Sequence, residues 1–108
     1  MIQIPFQTAA AFTQEVTLDE VPYRLAFAWN GRAGHWSMTF HDRDGTPLVE
    51  GIRVVPEYEL IRQFPGRGIP PGMIFFVDPL GLRKVINRND VPTDIEPVYM
   101  TEDEVDAI

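Results

Sequence analysis

The chain has 108 residues, 44% of them hydrophobic, and contains no cysteine. That fits a single small globular domain and excludes a disordered chain, a disulfide framework, a thiolate metal site and a cysteine nucleophile. The net charge of -7 is uneven: six acids and no base follow residue 93, which leaves 10 acids against 9 bases before it and no cluster of positive charge to neutralise phosphates.

No nucleic-acid partner is therefore expected. A membrane is not expected either. No apolar run approaches the roughly 20 residues needed to cross a bilayer, and residues 1–11 lack the basic start of a secretory signal.

Residues 2–5 read as an extended lead-in, because Pro5 biases Ile4 toward β or polyproline geometry. Over residues 12–18, Phe12, Gln14, Val16 and Leu18 alternate with Thr13, Glu15 and Thr17, which is the period of a strand. Asp19 and Glu20 supply a polar turn. Residues 21–55 are the most informative stretch. Tyr23, Leu25, Phe27 and Trp29 alternate with Arg24, Ala26 and Ala28, and Trp36, Met38 and Phe40 alternate with Ser37, Thr39 and His41. Period two over both runs predicts two half-buried antiparallel strands.

For both apolar sets to share a face, opposed residues must sum to an odd number. Phe27 opposite Trp36, with a four-residue loop over 30–33, satisfies this, as does Trp29 opposite Trp36 with a six-residue connection. Four is the commoner length. A one-residue slip would turn one set of rings into water, at about 1.5 to 3 kcal/mol per ring, so the register should be firm.

Asp42 to Gly45 suits a type I turn, with Gly free to take positive φ. Residues 48–55 read as a strand interrupted at Gly51 by a bulge and stopped by Pro56. Residues 56–64 predict a short helix. Pro56 suits a first turn, Glu57 and Glu59 suit the positive end of its dipole, and Leu60, Ile61 and Phe64 share a face. Three Gly and three Pro within residues 65–72 make a loop. Residues 73–77 form an apolar run expected to be a buried strand, and residues 78–81 turn the chain. Residues 82–86 and 95–100 predict two more short strands, the second weakened by Pro97. The last eight residues are expected to fray or to be placed by a partner.

The fold class expected from these elements is all-β and mainly antiparallel. It is a small β-sandwich or barrel-like domain of six or seven short strands with one short helix. Residues 1–93 make a single β-rich domain, followed by a partly flexible acidic segment over 94–108.

Patterns that could carry chemistry have simpler explanations. His35 and His41 are the only histidines, and six residues of strand separate them by about 20 Å. The side chains expected to face them (Arg24, Ala26 and Ala28) offer no metal ligand, so no metal is expected. Ser37, the only serine, lies two positions from His35, nearly 7 Å along a flat strand and too far for a nucleophile–base pair. Asp42, Asp44 and Gly45 resemble the start of a calcium loop, but the acid at its twelfth position does not follow. Trp29 and Trp36 could form a stacking platform for sugars if exposed. Both are in phase with core residues, which predicts packing with a bonded indole N–H. No catalytic residue and no cofactor is expected.

A set of residues in fixed order resembles the baseplate plug family of contractile-tailed bacteriophages, in its cyanophage-type form. They are Ile4-Pro5, Tyr23-Arg24-Leu25, Trp29-Asn30, Arg32 and Trp36, then Asp42-x-Asp44-Gly45-Thr46-Pro47-Leu48-Val49 and Gly51-Ile52. Phe64-Pro65, Gly68-Ile69-Pro70-x-Gly72 and Val77-Asp78 complete the set. The resemblance covers residues 1–79.

It implies a mostly β structural protein of the virion tail baseplate, made in the host cytoplasm. Such a protein would plug or join the end of the tail tube and touch other baseplate or tail proteins (hub, tube, spike), with homo-oligomerisation compatible with such an assembly. It implies no enzyme activity. Contacts are expected from Pro65, Gly68, Ile69, Pro70 and Pro71 in the loop and from Glu102, Asp103 and Glu104 in the tail. Exposed apolar patches should accompany that role. The competing expectations are a stand-alone ligand- or carbohydrate-binding β module, which needs exposed Trp29 and Trp36, and a small hydrolase, which needs a histidine joined to an acid.

Overall fold

The computed structural model describes every residue except 1, 8, 57, 65, 79–85, 87, 89, 92–94 and 108. The described strands are β1 (Ile2–Gln3), β2 (Ala11–Leu18), β3 (Val21–Asn30), β4 (His35–Asp42), β5 (Pro47–Arg53), β6 (Met73–Val77) and β7 (Glu96–Met100), and one helix, α1 (Glu102–Asp106), follows. They form two sheets, one ordered β2-β3-β4-β5 and the other β1-β7-β6, and all pairings between named strands are antiparallel. The expected all-β fold is the observed one.

The period-two runs place their apolar residues as expected. Tyr23, Leu25, Phe27, Trp36, Met38 and Phe40 are all buried, while Thr13, Glu15 and Thr17 on the opposite face of β2 are exposed. The hairpin register differs from the preferred expectation. Trp29 pairs with Trp36 and Asn30 with His35. The loop is still four residues long, over 31–34, because one more pair joins the ladder. The side chain of Asn30 sets this register. Its Oδ1 accepts from the N–H groups of Arg32 and Ala33, both at 3.1 Å, and Gly34 N–H returns to Asn30 O at 2.8 Å.

The other turns follow their residues. Gly45 N–H donates to Asp42 O (3.0 Å), and Gly45 takes φ +89°. The Asp42 carboxylate accepts from Asp44 and Thr46 N–H, so it is spent on the turn. Gly51 has φ +67° beside the register shifts between β4 and β5, as a bulge requires. The two-residue β2–β3 turn puts Asp19 at φ +49° and Glu20 at φ +68°, a left-handed geometry that suits Gly best. Glu20→Gly should therefore raise stability by roughly 0.5 to 1 kcal/mol. Urea unfolding checks this, and a destabilised variant would show that the Glu20 side chain has a use the backbone does not reveal.

The expected helix over 56–64 is absent among the described residues; Glu57 lies outside them. Described residues of this segment instead bond to β6. Pro56 bridges Phe76, and Leu60 N–H donates to Ile74 O at 3.1 Å. Glu59 does not serve a helix dipole. Its carboxylate accepts from the N–H groups of Ile61 and Arg62, capping one turn, and from Ile74 N–H at 2.7 Å on β6. The same segment starts on the other sheet, where Val54 N–H donates to Trp36 O at 2.9 Å. Val54, Pro56, Glu59 and Leu60 thus tie the two sheets together along one side and cover the outer edge of β6.

Pro97 sits in the middle strand of its sheet without harm. Its carbonyl accepts from Ile4 N–H (2.8 Å), so its missing N–H lies on the β1 side, beyond the last paired residue, Gln3. Residues 82–85 of another expected strand lie outside the described residues, while Ile86 is buried outside any strand.

Phe6 holds the sheets together from the inside. Its ring lies 4.8 Å from Phe12, 4.9 Å from Phe27, 5.0 Å from Trp36 and 6.2 Å from Phe76. Phe27 and Phe76 also meet directly across the sheets at 6.2 Å. Edge-to-face pairs of this kind contribute about 0.5 to 1.5 kcal/mol beyond area burial.

Candidate partner-contact surface

Tyr99 organises one end of the molecule. It is fully buried on β7, opposite Ile2 of β1 and Ile74 of β6. Its hydroxyl accepts from Gly72 N–H (2.9 Å) and donates to Asp19 Oδ2 (2.5 Å). The same Asp19 oxygen accepts from Glu102 N–H (3.0 Å), the first residue of α1. Tyr23 adds a bond from its hydroxyl to Gly68 O (3.4 Å). The Gly/Pro loop, the β2–β3 turn and the start of α1 are thereby fixed to one point.

Burial, and then the hydrogen bond to Asp19, push the Tyr99 hydroxyl well above its ordinary value, against a smaller opposing effect of the Gly72 N–H. Tyr23 is raised by burial and then by the Asp19 charge. A folded pKa above the unfolded value of about 10 gives stability that is complete below about pH 10 and is lost as pH rises above it. The two tyrosines should therefore add no slope to the wild-type melting temperature below about pH 10 and should make it fall beyond that. Tyr99→Phe should melt lower near neutrality but fall less steeply. Equal alkaline slopes in the two proteins would rule this out.

The acidic end is a helix where fraying was expected. Thr101 Oγ1 accepts from Glu104 N–H (3.3 Å) while Glu104 Oε1 accepts from Thr101 N–H (3.0 Å), a complete capping box. Three acids in its first turn favour the positive end of the dipole.

Among the expected contact residues, Gly68, Pro71, Glu102 and Asp103 are exposed. Ile69 is half-buried against the core, Pro70 is buried, and Glu104 is partly occupied in the cap. Pro65 lies outside the described residues. The loop and the acidic end, separated by residues 73–101, share the Tyr99–Asp19 anchor. Sequence reasoning missed both anchors, which stand 80 positions apart. It could have found the cap, since Thr101-x-x-Glu104 is its signature.

Ser37 and His35 are otherwise engaged, whereas His41 Nδ1 is buried without a hydrogen-bond partner among the described residues. Ser37 Oγ donates to Ala28 O across the hairpin (3.4 Å), and His35 Nδ1 lies 3.1 Å from Trp36 O. Trp36 is 1% exposed and Trp29 half-buried, so together they form no open platform. The expected bond to the buried Trp36 indole is not made: its Nε1 has no hydrogen-bond partner among the described residues, and the ring stands edge-on to Phe6 at 81°. Among the described residues no group of three His, Asp or Glu is placed to hold a metal ion, and no helix is long and apolar enough to cross a membrane.

The sequence model of one family, described as cyanophage baseplate Pam3 plug gp18, matches residues 1–102. The chain belongs to this baseplate plug family. Membership extends through β7 and the cap of α1, well past residue 79, where the motif resemblance ends. It gives the protein a structural role in a phage tail baseplate, among other baseplate or tail proteins. A search of curated proteins gave no match.

Proposed function

We propose that this protein is a non-catalytic, plug-like component of the virion baseplate. It would sit near the tail tube and hub and act by packing against neighbouring subunits. The family match over residues 1–102 carries this reading. Two structural features support a packing role. β2 is an eight-residue strand at the edge of its sheet. Its even-numbered residues bond to β3, as Trp29 N–H to Ala10 O shows (2.7 Å), so Thr13, Glu15 and Thr17 turn their backbone groups outward, available for strand pairing. The second feature is the end of the molecule fixed by Tyr99, where Gly68, Ile69 and Pro71 and the exposed acids Glu102 and Asp103 would meet partners.

The apolar surface is thinner than the role suggested. Among described residues the exposed large apolar side chains are Ile2, Val21 and Tyr58. Contacts would therefore be largely polar, with apolar residues interspersed. Purified virions should contain the chain by mass spectrometry, and antibody labelling should mark the baseplate end of the tail tube. Complete, infectious particles assembled without the chain would overturn the proposal.

A further inference from the structure

Two shallow depressions adjoin the Gly/Pro loop. One, of about 260 Å³, is lined by Ile61, Arg62, Ile69 and Pro71 among others, and the second, of about 370 Å³, by Leu48 and Arg67 among others. Phe64 is a wall of both. Arg62 and Arg67 are exposed, and among the described residues neither makes an ion pair. The surface thus combines two unpaired guanidinium groups with proline and aliphatic walls, and one exposed acid, Glu50, lines the second depression. This chemistry suits a short acidic segment carrying some apolar surface.

The chain itself holds such a segment. α1 displays Glu102, Asp103 and Asp106 to solvent, has no base in its last turn, and leaves Val105 half-exposed. Among the described residues none of these three acids pairs with a cation in its own chain. The capping box and the Glu102–Asp19 bond hold the helix in place before any partner arrives, so little ordering entropy is lost on binding.

We infer that the Arg62–Phe64–Arg67 surface of one copy receives the acidic α1 of a second copy. This rests on the packing role proposed above and narrows it to one contact between like chains. The surfaces are small, so the contact in solution should be weak and strongly weakened by salt.

Sedimentation velocity of the full chain, over a range of concentration and at low and high NaCl, tests this. The expected result is concentration-dependent self-association that weakens roughly tenfold or more at high salt. Arg62→Glu with Arg67→Glu should abolish it. Glu102→Lys with Asp103→Lys and Asp106→Lys should abolish it separately, and an equimolar mixture of the two variants should restore it. All five side chains are exposed, so the arginine variant should melt close to wild type. The lysine variant loses first-turn acids that favour the α1 dipole. Glu102→Gln with Asp103→Asn and Asp106→Asn, which removes the charges without reversing them, should therefore also abolish association. A wild-type chain that stays monomeric throughout, or reversals that leave association unchanged, would overturn the inference. Either result leaves the baseplate reading intact, because virion composition decides that separately.

Discussion

Gly72→Ala should lower the melting temperature by roughly 12 to 24 °C, corresponding to about 3 kcal/mol or more, the upper end of overpacking costs for a domain of this size. Gly72 is buried, and a Cβ built there would lie 2.0 Å from Met100 O, 2.5 Å from the Tyr99 hydroxyl and 2.6 Å from Tyr99 Cζ. Real Cβ atoms do not approach a carbonyl oxygen so closely. The carbonyl belongs to the end of β7, and the tyrosine is fully buried. Neither can rotate aside as a flexible surface chain would. Relief requires moving the loop away from β7, which breaks the Gly72 N–H bond to Tyr99. Gly66→Ala is the comparison, because its Cβ meets nothing within 4 Å although its φ of +77° carries a strain of its own. That strain costs about 1 kcal/mol or somewhat more. Differential scanning calorimetry of the two variants checks the ranking. A Gly72→Ala protein that melts with, or above, Gly66→Ala would show that the strand end yields easily.

Phe76→Ala should cost about 3 to 5 kcal/mol. Phe76 is fully buried on β6 and meets Phe6 and Phe27, so its ring links the two sheets from the three-stranded side. Truncation removes the ring's transfer energy and leaves a hole bordered by side chains of both sheets, which cannot close without shifting one sheet on the other. A domain of this length has about 5 to 15 kcal/mol in total, so the variant should be close to unfolding at body temperature. Phe76→Leu keeps most of the volume and should cost about 1.5 kcal/mol or less. Guanidinium titrations of both variants would measure the difference. Equal losses would mean that ring–ring geometry, not filled volume, sets the stability.

Period two made β2, β3 and β4 readable, because their alternation places every large ring on one face. The parity of the hairpin was readable too. Its offset was not, because it depends on Asn30 Oδ1 choosing two particular backbone N–H groups. The segment after Pro56 carries helix-like signals, yet Glu59 answers to Ile74, fifteen residues away on β6. Tertiary bonding there overrides local preference. The capping box of α1 was present as a local pattern, Thr101-x-x-Glu104, although a chain end is ordinarily expected to fray. The joint between Asp19 and Tyr99 had no sequence signal, since a turn aspartate and a strand tyrosine are each unremarkable alone. The Gly/Pro loop and the acidic end were readable as two separate stretches, and their common anchorage at Asp19 and Tyr99 rests on bonds between residues far apart in the chain.

The order in which the molecule can assemble follows from which strands are neighbours in the chain. β2, β3, β4 and β5 pair in succession across short connections, so that layer can form while the polypeptide is still leaving the ribosome. The other layer joins β1 to β7, with Ile2 beside Tyr99. Until residue 100 has emerged, the Phe6 side of the early layer lacks its cover, and a sticky half-structure awaits its final strand. Chains held on the ribosome through an added C-terminal linker should therefore be protease-sensitive and chaperone-binding when the linker leaves β7 inside the exit tunnel, and not when it is long enough to bring β7 out.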